Sequence, residues 1–333
     1  MGNERIYAKI DKLRDSIENS DLTEFEKSSI LRNIQDLRGQ KVNILITGAT
    51  GCGKSSTINA LFGKETAKVG ITPNPETTTI ERYDYDNLVL WDSPGLGDGK
   101  EADIRNSRMI IDKLTETDSE GNALIDLVLV ILDGSSRDLG TSYQLINEVI
   151  IPTLNRSDRT DRILVAINQC DVAMKGRHWN REKNKPEPEL VAFLEEKVMS
   201  VHRRIKEGTG VDVMPIYYSA GYKEDGEEQN PYNLSKLLYF IIEHTPKKKR
   251  LVYAQNISQD PYVWQDNDDE MDYNENIEKS FKETLVESIT SGVKIGSEIG
   301  EAWFGTPGRV IGGAVGGIVG AVGGFFKGLF GKK

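Results

Sequence analysis

Cysteine, histidine and surplus positive charge are what this sequence has least of. Its two cysteines, Cys52 and Cys170, and its three histidines, His178, His202 and His244, stand far apart and in no metal-ligand spacing. That excludes a zinc-stapled or disulfide-stapled design. Asp and Glu number 52 against 42 Lys and Arg, a net charge of −10. A phosphate-backbone footprint needs a basic face, so nucleic acid is a disfavoured partner. The opening MGNERIYAKI has neither the apolar core of a secretory signal nor the hydroxyl of an N-myristoylation pattern, and the expectation is a reducing, cytoplasmic home.

What is present reads as a globular chain of 333 residues with 38% hydrophobic and 28% charged residues, long enough for one main domain with flanking elements. Two helical patterns, Ile6, Ile10, Leu13, Ile17 and then Leu22, Phe25, Ile30, Ile34, Leu37, predict an N-terminal helical hairpin over 1–40. The run VNILIT at 42–47 predicts a buried strand, followed by a glycine loop and the helical SSTINALFG. Further strands are expected at 80–85, 88–91, 127–132, 163–167 and 213–218; continuous aliphatic runs such as LVLVIL suit a mostly parallel sheet covered on both faces. The fold class is therefore α/β, a six-stranded sheet flanked by helices over 41–245. Residues 175–190 are expected as an exposed loop and 246–275, which contain PKKKR and QDPYVWQDNDDEMDYNEN, as an acidic linker.

The strongest motif is GATGCGKSS, Gly48, Ala49, Thr50, Gly51, Cys52, Gly53, Lys54, Ser55 and Ser56. It fits the G-x-x-x-x-G-K-[ST] phosphate loop, in the strand-to-helix setting that the chemistry needs. Its backbone N–H groups and helix N-terminus suit anionic phosphates. Lys54 supplies a point charge to the outer phosphates, and Ser55 offers a hydroxyl to Mg²⁺. WDSPGLGDG follows the strand LVLW. Asp92, at a strand end beside the loop, is placed to hold Mg²⁺ through water, and the Gly95 N–H can reach a γ-phosphate.

GATGCGKSS, TTT at 77–79, DSPG at 92–95, NQCD at 168–171 and SA at 219–220 stand in the order of the five G-motifs of GTPases. Over about 41–245 the chain resembles the Era/TrmE-like branch, most closely the bacterial and prophage-borne YfjP/YeeP-type GTPases. The resemblance implies GTP or GDP as ligand with Mg²⁺. It implies that a threonine of PETTTIE ligates Mg²⁺ and senses the γ-phosphate: Thr79 first, two positions before Glu81, with Thr78 as rival. Asp171 would accept from the two donors of guanine, which adenine does not offer. Asn168 would brace the loop and touch the base, and the backbone of Ser219 and Ala220 would contact guanine O6. Gln169 occupies the place of the family's lysine; its stem can cover one base face but it carries no charge, which implies reduced guanine affinity.

Many GTPases orient the attacking water with a glutamine directly after D-x-x-G. Here Leu96 stands there, so slow turnover is expected, stimulated by a partner, a second copy of the domain or another loop residue. Asp98 lies nearby. Gly51 replaces the asparagine of potassium-dependent relatives, which disfavours potassium activation.

The final region carries glycines at 292, 296, 300, 308, 312, 316, 320, 324 and 328, a four-residue lattice on which helices approach closely. A glycine-rich helical hairpin is expected over 276–333, from a helix at about 276–304 and another at 309–328. Its apolar stretch from Val310 to Phe326 is 17 residues, about 25 Å as a helix and at the short end for a bilayer. Membrane contact, packing on the protein's own helices or within an oligomer, and a disordered tail remain open. The functional expectation is a slow Mg²⁺-dependent GTPase switch, with a membrane as one candidate place of action; the alternatives are a nucleotide-sensing assembly module with negligible hydrolysis or a ribosome-associated GTPase.

Overall fold

The aliphatic runs become strands β1, Val42–Gly48, β3, Leu88–Asp92, β4, Leu127–Asp133, and β5, Ile163–Asn168; the mixed ERYDY becomes the edge strand β2, Glu81–Tyr85, and Ile216–Tyr217 forms β6. They build one six-stranded sheet in the order β2-β3-β1-β4-β5-β6. All pairs are parallel except β2 with β3. This is a computed structural model, and it describes residues 14, 17–19, 23–63, 79–154, 160–224, 227–291 and 329–330. The expected mostly parallel sheet is present; β6 is shorter than the run that announced it, although Tyr218 beyond it is still fully buried.

Because side chains alternate across a strand, each aliphatic run feeds two cores. Ile44, Ile46, Leu129, Ile131 and Leu164 join one; Leu45, Val128, Val130, Val165 and Ile167 join the other. The first is covered by α1, Glu24–Gly39, and α2, Lys54–Phe62. The second is covered by α3, Lys100–Thr115, by α4, Gly140–Gln144, which runs on through a π-turn at Leu145–Ile150, and by α5, Pro188–Thr209. Two further helices, α6, Leu234–Glu243, and α7, Tyr273–Thr290, complete the first core. Helix α1 begins at Thr23, whose side chain and Glu26 cap each other's backbone, an exchange that satisfies two orphan N–H groups. The first half of the expected N-terminal hairpin lies almost wholly outside the described residues.

Two sequence expectations need correction. Residues 246–275 are folded onto the domain: Leu251, Val252, Tyr253, Ala254, Ile257, Trp264 and Tyr273 are buried in it or against it. Their acidic side chains are partly spoken for, since Asp268 and Glu270 meet the buried Lys236 of α6 at 2.6 and 2.8 Å, and Asp268 also accepts from Asn233 and Tyr273. The acidic composition reflects these internal contacts as well as solvation. The segment 175–190 is likewise not all loop. Trp179–Asn180 pairs with Lys185–Pro186, Trp179 packs edge-on against Tyr232, and Asn184 is buried with its amide donating to Asp266 at 2.7 Å.

Helix α7 realises the start of the expected 276–304 helix, and its end is fixed where Asn33 of α1 donates to the Ser291 carbonyl at 2.8 Å. The rest of that helix and the 309–328 helix lie outside the described residues. Leu329 is buried in the first core and Phe330 stands perpendicular to Trp264 with ring centroids 6.0 Å apart. No helix among the described residues is long and apolar enough to cross a membrane; the apolar stretch 310–326 falls outside them.

Candidate functional site

The loop Gly48–Gly53 links the end of β1 to the start of α2. Gly53, at φ 87°, is the N-cap and offers no side-chain cap. The first N–H groups of α2, at Lys54, Ser55 and Ser56, therefore have no capping acceptor from it, which leaves them for an anion. A Cβ at Gly53 would fall 2.2 Å from the Asn168 amide nitrogen, so glycine is required by both conformation and space. Lys54 is buried and folds back over its own loop, its Nζ 3.3 Å from the Ala49 carbonyl and 3.5 Å from that of Gly48. Cys52 is fully buried, and burial pushes its thiol up, as it does that of Cys170. Neither is set up for thiolate chemistry.

Asp92 ends β3, is 1% exposed, and neither carboxylate oxygen has a hydrogen-bond partner. Burial pushes its pKa up to about 6, Lys54 pulling it down and Glu81 adding a smaller upward push. A buried carboxylate without a donor is costly unless something cationic meets it. Its hard oxygens and the hydroxyl of Ser55, on the first turn of α2, match what a magnesium ion takes. Thr79 is exposed and lies two residues before Glu81, which pairs with Asp92 across the β2–β3 ladder. Its chain thus enters the sheet beside Asp92. Thr77 and Thr78 lie outside the described residues.

The DSPG loop is braced from α3. Asn106, buried, donates to the Gly95 carbonyl at 2.8 Å, and Asp103 accepts from the Gly97 N–H at 2.8 Å. Gly95 lies against the phosphate loop: a Cβ there would sit 2.6 Å from both the nitrogen and the hydroxyl of Thr50. Leu96 turns away and is buried in the second core. Asp98 instead reaches across, its carboxylate oxygens accepting from the Thr50 hydroxyl at 3.0 and 3.2 Å.

On the other side of the phosphate loop, Asn168 closes the site from β5. Its amide donates to the Cys52 carbonyl and accepts from the Ala220 N–H, both at 3.0 Å, so one side chain joins the phosphate loop to the Ser219–Ala220 turn. Gln169, in a left-handed conformation at φ 60°, donates to the Gly51 carbonyl at 2.9 Å. Asp171 is 7% exposed. Ser219 exchanges two backbone hydrogen bonds with Tyr232 at 2.9 Å each. Below them Tyr218 meets the Thr57 hydroxyl at 2.7 Å, tying this turn to α2.

The residues singled out from sequence at 48–56, 92–95, 168–171 and 219–220 thus come together at one edge of the sheet, with Thr79 at the margin. Sequence reasoning missed Asn106, Asp103, Thr57 and Tyr218, which touch the loops from behind. A signal existed for the first two, a carboxylate and an amide three residues apart on the helix that follows DSPGLGDG. Away from this edge, ligand atoms of His178, Glu187 and Glu189 lie within 4.8 Å of one another on the surface, a grouping that the scatter of the histidines alone did not suggest.

Residues 43–169 match the family model described as 50S ribosome-binding GTPase. Interferon-inducible GTPase 1 of Mus musculus is 36% identical over 80 residues, 21% of this chain and 18% of that protein. GTPase Der of Rickettsia canadensis (strain McKiel) is 28% identical over 212 residues, 61% of this chain and 41% of that protein. The chain thus spans less than half the length of these relatives. The crystal structure of Toc33 from Arabidopsis thaliana in complex with Mg²⁺ and GMPPNP superposes with a TM-score of 0.44 at 15% identity, over 72% of this chain and 97% of that one.

Proposed function

Starting from a chain whose central unit is an α/β P-loop GTPase domain, we propose that it binds GTP and GDP with Mg²⁺ and hydrolyses GTP to GDP and phosphate as a slow nucleotide-dependent switch. The observation that carries this reading is Asp92, buried with both oxygens unpartnered beside Lys54 and the uncapped start of α2. Such an arrangement costs stability unless a cation and an anion arrive together.

In this reading the backbone of Gly48, Ala49, Thr50, Gly51, Cys52 and Gly53 and the α2 N-terminus hold the phosphates. Lys54 leaves its loop carbonyls for the outer phosphates. Ser55, Asp92 and Thr79 would hold the metal, which when bound would supply positive charge to the phosphates. Gly95 donates its N–H to the γ-phosphate, with Asn106 fixing that peptide. Asn168, Gln169, Asp171, Ser219 and Ala220 receive guanine, Asp171 accepting from the base's two donors. Titration with GTPγS in Mg²⁺ and in EDTA tests the assignment. Mg²⁺-dependent binding that Lys54→Ala abolishes is expected; Mg²⁺-independent binding, or normal turnover in Lys54→Ala, would overturn it.

A guanine-nucleotide-sensing assembly module with negligible hydrolysis is the second reading, and the burial of Leu96 favours it, because no group at that position can orient water. Single-turnover hydrolysis separates the two. Within the family the motif order supports the Era/TrmE-like branch and its YfjP/YeeP-type members. The ribosome-associated alternative rests on the description of the matching family and is weakened by the net charge of −10. Self-association through the domain or the glycine-rich region, and contact of 292–328 with the inner face of a membrane, are proposed partners of the switch. The seating of Leu329 and Phe330 on the domain favours a tail packed on its own protein in this state.

A further inference from the structure

We propose that Asp98, steered by Thr50, positions the water that attacks the γ-phosphate, replacing the glutamine that Leu96 displaces. The inference rests on the reading of the domain as a GTPase. Four observations converge on it. Leu96 is committed to the core. Of the polar side chains in the loop from Ser93 to Gly99, Ser93 is buried with its hydroxyl turned to the Pro94 carbonyl, which leaves Asp98 as the one facing outward. Asp98 reaches the phosphate loop itself, on Thr50 at 3.0 and 3.2 Å. The loop that presents it is pinned on both sides of Leu96, at Gly95 by Asn106 and at Gly97 by Asp103.

The place matters as much as the contact. Thr50 lies directly against Gly95, the peptide read as the γ-phosphate donor, so the Thr50–Asp98 pair stands next to that peptide. A carboxylate directly against the γ-phosphate would be repelled. One water's length away, it accepts a hydrogen bond from the nucleophile and leaves an oxygen lone pair aimed at phosphorus. In the step, the water oxygen bonds to the γ-phosphorus as the bond from phosphorus to the β–γ bridging oxygen breaks. The bridging oxygen keeps the electron pair and departs with GDP. The proton of the water passes to the Asp98 carboxylate and from there to the released phosphate.

The test is single-turnover GTP hydrolysis by the full chain and by Asp98→Asn, Asp98→Ala, Asp98→Glu and Thr50→Val, with the affinity for a fluorescent GDP analogue measured in parallel. Asp98→Asn and Asp98→Ala are expected to slow hydrolysis by roughly a hundredfold or more, the range of a general base. GDP affinity should stay within about twofold, because the proposal puts Asp98 on water rather than on the nucleotide. Asp98→Glu should recover part of the rate and Thr50→Val should lose part of it, and formation of a GDP–aluminium fluoride complex should fail in Asp98→Asn, a readout that a bracing role would not move. Wild-type turnover in Asp98→Asn overturns the proposal, as does a change confined to affinity. A rate that rises with protein concentration and ignores Asp98→Asn overturns it in favour of a second copy. If the wild-type chain binds GTP without hydrolysing it, this inference and hydrolysis fail together while nucleotide binding stands.

Discussion

The two ends of the proposed nucleotide groove are built differently. At the base end Asn168 joins the Cys52 carbonyl to the Ala220 N–H, Gln169 reaches Gly51, and Tyr218 ties the Ser219–Ala220 turn to Thr57. That end is cross-linked by the protein itself. At the phosphate end Asp92 has no donor, Lys54 rests on carbonyls of its own loop, and α2 begins without a side-chain cap. Of these polar groups only Lys54 has contacts to give up when a ligand enters, at 3.3 and 3.5 Å to the loop carbonyls. The difference separates two tasks: the base end holds shape in advance, and the phosphate end stores unmet electrostatic demand that the proposed Mg²⁺–triphosphate would satisfy.

The largest effect that would sharpen this contrast is Lys54→Ala. Loss of GTP affinity of about a hundredfold or more is expected by calorimetry, with a smaller effect on the melting temperature of the nucleotide-free protein, where two weak loop contacts and the attraction to Asp92 disappear. A large drop in melting temperature would break the comparison. Asn168→Ala should do the reverse in the absence of nucleotide. It removes two buried hydrogen bonds and orphans their partners, about 2–3 kcal/mol by denaturant unfolding, and weakens guanine nucleotides as the turn loosens.

Smaller again is the pH dependence of Asp92. Its folded pKa, about 6, lies above the ordinary value of 3.8. The folded protein therefore holds a proton that the unfolded chain has released, and the contribution of Asp92 to the stability of the free protein falls as pH rises from about 4 to about 6. Mg²⁺ binding runs the opposite way, weakening as pH falls through 6 because the protonated carboxyl is a poor ligand. Asp92→Asn should flatten the stability trend in melting curves between pH 4 and 6 and remove the Mg²⁺ dependence of GTP binding. The smallest change is Gln169→Lys. A restored cation beside the base should tighten guanine binding by a fewfold, read by equilibrium titration, and the gain should be absent from the phosphate end, with the Mg²⁺ requirement unchanged.

How far the sequence foretold these two ends follows the same division. Phosphate loop, DSPG and NQCD are local patterns whose residue types state their chemistry, and the strands between them are aliphatic runs that need no partner to be recognised. The bracing contacts are another matter. Asn168 to Ala220 spans 52 positions and Thr57 to Tyr218 spans 161, and nothing in either residue's neighbours announces the other. The segment 246–275 misled for a related reason: Asp268 and Glu270 read as solvated charge until Lys236, more than thirty positions earlier, is brought against them. Leu96 was legible as a missing glutamine, but not as a core residue, because its burial depends on the whole second core assembling around it.

The seat of the last residues has a consequence for sidedness. Ser291 is held by Asn33 at one end of the glycine-rich stretch, and Leu329 is buried in the domain core at the other. A chain whose two ends are fastened to one body on one side of a bilayer cannot pass through that bilayer an odd number of times. While both fastenings hold, Ser291 and Leu329 belong to one body and stand on the same side of any bilayer that body meets.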